Sequence, residues 1–175
     1  MGPGSFDDFV QREIDAARKA GRGSIDWDAE KKQWLRSLDD LYLRVHAFLR
    51  QYIDAGQIAT RMETIEINEE HLGLYTVPSM TIIIGAKTVT LEPVGTVLVG
   101  SRGRVDVVGS LARGQLILVE SGSVAQLLPS TGLGKSQAGA KKLTEGRWTW
   151  KVVVRDTVDL TKETFLALLL QIANG

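Results

Sequence analysis

Between Thr60 and Glu120 the chain is written as short apolar runs that alternate with polar residues and are punctuated by glycine. Val89, Leu91, Val97, Val99, Val105, Val107, Leu116 and Leu118 alternate with Thr, Glu, Arg, Asp and Ser, which is the period of half-buried antiparallel strands. Gly85, Gly95, Gly100, Gly103, Gly109 and Gly114 supply the turns. The pattern predicts strands at Thr60–Ile67, Leu72–Val77, Met80–Ile84, Thr88–Glu92, Thr96–Val99, Val105–Val108 and Gln115–Glu120. Proline has no N–H to give to a ladder, so Pro78 and Pro93 are expected at strand ends, bulges or edges.

Helices flank this region. Ser5 and Asp8 read as the cap of a first helix, whose face carries Phe6, Phe9, Val10, Ile14 and Ala17 and which ends at Gly21. A longer helix starts near Ser24–Asp28 and runs to Ala55, where Gly56 stops it. Trp34, Leu38, Leu41, Tyr42, Val45, Phe48, Leu49 and Tyr52 form its apolar stripe. Downstream, Trp148, Trp150, Val152 and Val154 share one face of a strand. Thr161 is the natural cap of a last helix, apolar nearly all round. Phe165, Leu169 and Ile172 lie on one side of that helix, and Leu166 and Leu170 on the other. The second pair either sits under the N-terminal helices or makes a homodimer contact.

The predicted fold class is therefore α+β: an N-terminal helical hairpin over residues 1–58, then a region 59–175 with about seven to eight antiparallel strands and a C-terminal helix packed on them. The sheet is expected to be strongly curved or closed into a small barrel. Pleckstrin-homology-like domains share the order of seven strands followed by a helix; the likeness is one of element order and fixes no function. Residues 121–146, rich in Gly, Ser, Thr and Lys, read as a long mobile loop.

Composition excludes more chemistry than it suggests. No cysteine is present, which removes thiolate catalysis, disulfides and Cys-based zinc sites, and fits a reducing compartment. Lys+Arg and Asp+Glu are equal at 21 each, which argues against nucleic acid or an anionic membrane as the main partner. No secretory signal and no span-length apolar run is expected, so cytoplasm is the default location and membrane insertion is not expected. Gly132, Gly134, Lys135 and Ser136 imitate part of a phosphate-binding loop, but Pro129 stands where its first glycine belongs.

Glu69, Glu70 and His71 are adjacent in a turn, a poor arrangement for three ligands on one ion, and the other histidine, His46, lies at the edge of a helical stripe. Trp148 and Trp150 read as core rather than as a stacking platform. The most informative polar segment is Gly100–Asp106. Arg102 and Arg104 can present paired donors to a carboxylate or phosphate, whereas Arg104 and Asp106 share a strand face and can pair with each other. The leading expectation is a non-enzymatic domain that binds another protein, of adaptor, accessory or immunity type, with no cofactor and no metal. The alternatives are an anion or small-ligand module using Arg102, Arg104 and Asp106, and a small enzyme using Glu69, Glu70 or Asp106.

Overall fold

A computed structural model describes residues 10–12, 26–96, 102–121, 148–154 and 156–175. Residues 10–12 are helical; the rest of the predicted first helix and nearly all of the 121–146 segment lie outside the described residues.

Helix α1 spans Trp27–Asp54. The Asp26 side chain accepts from Ala29 N at 3.0 Å, and Asp28 and Glu30 place negative charge on the positive end of the helix dipole. At the other end Gly56 takes φ of 70°, a conformation costly for any residue with a Cβ. Gly56 N then donates to Ile53 O at 2.9 Å and Gln57 N to Tyr52 O at 2.8 Å, the paired bonds of a glycine-terminated helix. The predicted stripe is buried at Trp34, Leu38, Leu41, Tyr42, Val45 and Leu49, with Phe48 and Tyr52 half-buried beside it.

Among the described residues seven strands follow, each antiparallel to the next and in sequence order: β1 Ile58–Glu69, β2 Gly73–Ile84, β3 Lys87–Gly95, β4 Gly103–Val108, β5 Arg113–Glu120, β6 Trp148–Val153 and β7 Thr157–Asp159. Helix α2 spans Lys162–Asn174, with Thr161 as its cap. Thr161 Oγ1 accepts from Thr164 N at 3.2 Å, while Thr164 Oγ1 accepts from Thr161 N at 2.8 Å, so two orphan amides are satisfied reciprocally. Both helices share one apolar core with the sheet. Val89, Leu91, Val105, Val107, Leu116, Leu118, Trp150 and Val152 face Phe165, Leu168, Leu169 and Ile172 of α2 and the stripe of α1. Phe48 and Phe165 touch across the two helices, ring centroids 6.0 Å apart. Leu166 is half-buried against this core and Leu170 is exposed, so the second apolar side of α2 is divided.

Two expectations need correction. The sheet is open, not a closed barrel: strand order ends at β1 and β7, and three residues in β7 are too few to pair along the twelve of β1. Pro78 also does not separate two strands. β1 and β2 stay in one unbroken register from Ile58↔Ile84 to Glu69↔Gly73. The core-facing side changes phase where Met62, Glu63 and Thr64 oppose Met80, Ser79 and Pro78. Tyr75 and Val77 face the core on one side of this corner, Met80 and Ile82 on the other. Side groups satisfy the corner's backbone. Tyr42 Oη donates to Pro78 O at 2.7 Å and Ser79 Oγ to Leu91 O at 2.9 Å. Burial, then the nearby Asp39 charge, raises the Tyr42 pKa and keeps the phenol a donor. Pro93 meets the expectation, since the β3–β4 register slips between Pro93 and Gly95.

Candidate functional site

Among the described residues three places hold the groups that chemistry or recognition would need: one end of the sheet under the first turns of α1, the outer face of β4, and the outer edge of β1.

At the first, backbone pairing between β2 and β3 ends at Met80↔Leu91, so the far halves of these strands are joined by something other than a ladder. The joining group is Glu69. Its carboxylate accepts from Tyr75 Oη, from Thr96 N at 2.8 Å and from Thr96 Oγ1 at 2.8 Å. Gly95 is required beside it. A Cβ there would come within 2.7 Å of the carboxyl carbon, and its φ of 144° is itself unfavourable for other residues. Burial, followed by the hydrogen bond and charge of Glu69, raises the Tyr75 pKa; the Trp34 indole N–H opposes this only in part, without reaching good hydrogen-bond geometry. Tyr75 is thus held as a neutral donor and Glu69 as an acceptor engaged by three donors. The pair fastens the β1–β2 tip to the end of β3.

Residues of α1 close over this fastening. Lys31 Nζ lies 4.8 Å from the centre of the Tyr75 ring, and Trp27 stacks on His71 with centroids 4.7 Å apart. Arg102 ties three elements together. Its Nη1 is 3.0 Å from Glu30 Oε2, and its guanidinium lies 4.3 Å from the Trp148 ring centre. Gly103 leaves room for the Trp34 ring, which a Cβ would overlap. Trp34 packs 6.1 Å from Trp150, whose indole N–H donates to Ser37 O at 3.2 Å.

On β4, Val105 and Val107 are buried in the core while Arg104 and Asp106 lie on the opposite face, as the alternation predicts. Arg104 Nε is 2.8 Å from Asp106 Oδ1, and Nη2 donates to Oδ2 at 3.3 Å. The Nε contact is an ion pair without hydrogen-bond alignment. Both side chains are half-buried rather than fully in solvent, with Ile117 of β5 beside Arg104 in the register.

The structure therefore does not gather Arg102, Arg104 and Asp106 into one empty cradle. Arg102 belongs to the helix-capped end and Arg104 with Asp106 to the sheet face, and each arginine already meets a carboxylate. Glu69 and His71 have separate partners, Glu70 and His46 are exposed, and no cluster of three or more metal-capable side chains occurs among the described residues. Trp150 and Val152 are core as expected; Trp148 is half-buried under Arg102, and Val154 is exposed. Sequence reasoning passed over Glu30 and Lys31. Their signal was the prolongation of the Trp34 stripe toward the helix start by polar residues at helical spacing.

The third place is an edge. Among the described residues β1 pairs only with β2, so alternate residues turn their N–H and C=O away from the sheet. At the corner Arg61, Met62, Glu63 and Thr64 are exposed in succession, and Met62 keeps 49% of its surface accessible.

No protein-family model matches the chain, and no match is found among curated proteins or solved structures. No helix among the described residues is long and apolar enough to cross a membrane.

Proposed function

We propose that this protein is a non-enzymatic interaction domain that receives an extended segment of a second polypeptide chain on the open edge of β1. The observation that carries the reading is the stretch Arg61–Thr64, a regular strand exposed on both faces with no partner strand along one side among the described residues. Main-chain donors and acceptors in such an edge supply affinity to an added strand, and the protruding side chains supply selectivity. The polar groups elsewhere favour structure over catalysis. Glu69 is engaged by three donors, Tyr75 is held protonated, and Arg102 and Arg104 face carboxylates at short range. A reducing compartment, the cytoplasm, belongs to the same proposal, since a chain with no cysteine gains nothing from an oxidising one.

Adjacent proline substitutions test it. In Glu63→Pro and Thr64→Pro one proline removes an N–H that β2 uses and the other removes one that points outward. The outward one should leave the melting temperature close to that of the parent and abolish capture of the partner from native lysate. Arg102→Ala with Arg104→Ala should leave capture intact. Capture unaffected by the tolerated proline but lost with the arginines would transfer the function to the anion-binding reading.

A further inference from the structure

Resting on the strand-addition reading, we infer that the segment added to β1 is β1 of a second copy, paired antiparallel about a two-fold axis at Met62. In such a continuous sheet the axis stands perpendicular to the strands, and residues equally distant from it face each other. With the axis at Met62, Arg61 opposes Glu63 of the second copy and Glu63 opposes its Arg61. Thr60 then meets Thr64, and Ala59 meets Ile65. The neighbouring symmetric registers are worse. An axis at Arg61 sets Arg61 against Arg61, and one at Glu63 sets Glu63 against Glu63, like charges directly opposed. An axis at Thr64 leaves Arg61 opposite Ile67 and Met62 opposite Glu66. Of these four registers charge favours the one at Met62, which is how cross-strand pairs specify pairing.

The local structure suits this exchange. Arg61 Nε lies 3.0 Å from Glu63 Oε1 within the strand, and both side chains are more than half exposed, so the present pair contributes little and can be traded across the axis. Met62, exposed at the centre, would cover its own copy. The register with β2 is unbroken through the corner and β1 contains no proline, so no N–H is missing from the edge that a partner strand would use.

Sedimentation of the full chain over a concentration series reaching the millimolar range is the test. Wild-type protein should pass from monomer to dimer. Arg61→Glu and Glu63→Arg should each weaken self-association at least about tenfold by opposing like charges, with melting temperatures unchanged. An equimolar mixture of these two variants should recover dimer, and the double variant Arg61→Glu/Glu63→Arg should dimerise like the parent. A wild type that stays monomeric, or single variants that associate as the parent does, would overturn the second-copy proposal. If the monomer's β1 amides become protected by a different protein, this inference fails while strand addition stands. If the tolerated β1 proline binds every captured partner as the parent does, strand addition itself fails.

Discussion

At one edge of the sheet β7 has three residues, hands its chain directly to α2 and is tied to β6 by the Lys151–Asp159 ion pair. At the other edge β1 runs for twelve residues, with a central stretch exposed on both faces. Folded sheets ordinarily shorten, cover or bend their edges because an open ladder recruits other chains. Among the described residues that rule holds on one side only. The final helix fills the core over β3, β5 and β6, whereas the central stretch of β1 contributes little to packing and is the part to which the proposed function gives recognition.

The largest expected effect comes from removing the protected side. Ending the chain after Asp159 deletes Phe165, Leu168, Leu169 and Ile172, each buried against the sheet. Burial of such a side chain stabilises by about 1.5–3 kcal/mol, and four of them match the roughly 5–15 kcal/mol that holds a domain folded. The truncated chain should show no cooperative melting transition. A cooperative transition would mean that the two sides do not divide stability as argued.

The next effect concerns what fastens the β1–β2 tip to the end of β3. Glu69→Ala strands the Tyr75 hydroxyl and the Thr96 amide, at about 1–3 kcal/mol for each buried group left unpaired. The melting temperature should fall, and amide exchange should rise over Ile65–Glu69 while β6 and β7 remain unchanged. The same fastening gives a pH dependence. The raised Tyr75 pKa means that its stabilisation is whole below the ordinary value of 10.0 and is lost as pH climbs toward the folded value. Stability should therefore decline above about pH 10 more steeply in the parent than in Tyr75→Phe. Smallest of all, Lys151→Met should cost no more than about 1 kcal/mol, because Asp159 is largely exposed and such pairs are weak.

The contrast between the edges also marks where sequence reasoning succeeds. The ends of α1 were legible because Asp26, Gly56 and their partners lie within a few residues of one another. Arg104 and Asp106 were placed opposite Val105 and Val107 by alternation alone. Leu72–Val77 and Met80–Ile84 were read as two strands because a strand that changes its core-facing side gives the same break in period as a strand that ends, although Pro78 does stand where β2 has no ladder to β3. β7 was missed, since Thr157–Asp159 is short and mostly polar. Whether the sheet closes depends on what β1 finds beside it, a contact between the ends of the chain that no local pattern encodes. The role of Glu69 was hidden for the same reason: its partner Thr96 is remote in sequence, and an acidic turn looks alike whether solvated or buried.

Amide hydrogen exchange along β1, read residue by residue, tests the central claim most directly. In dilute protein, protection should alternate through Arg61–Thr64, the outward amides exchanging fast and those bonded to β2 slowly. Raising the protein concentration should slow the outward amides and leave β7 unchanged. Uniform protection of β1 in dilute protein, or outward amides that stay fast under every condition that produces a complex, would contradict an open, partner-receiving edge.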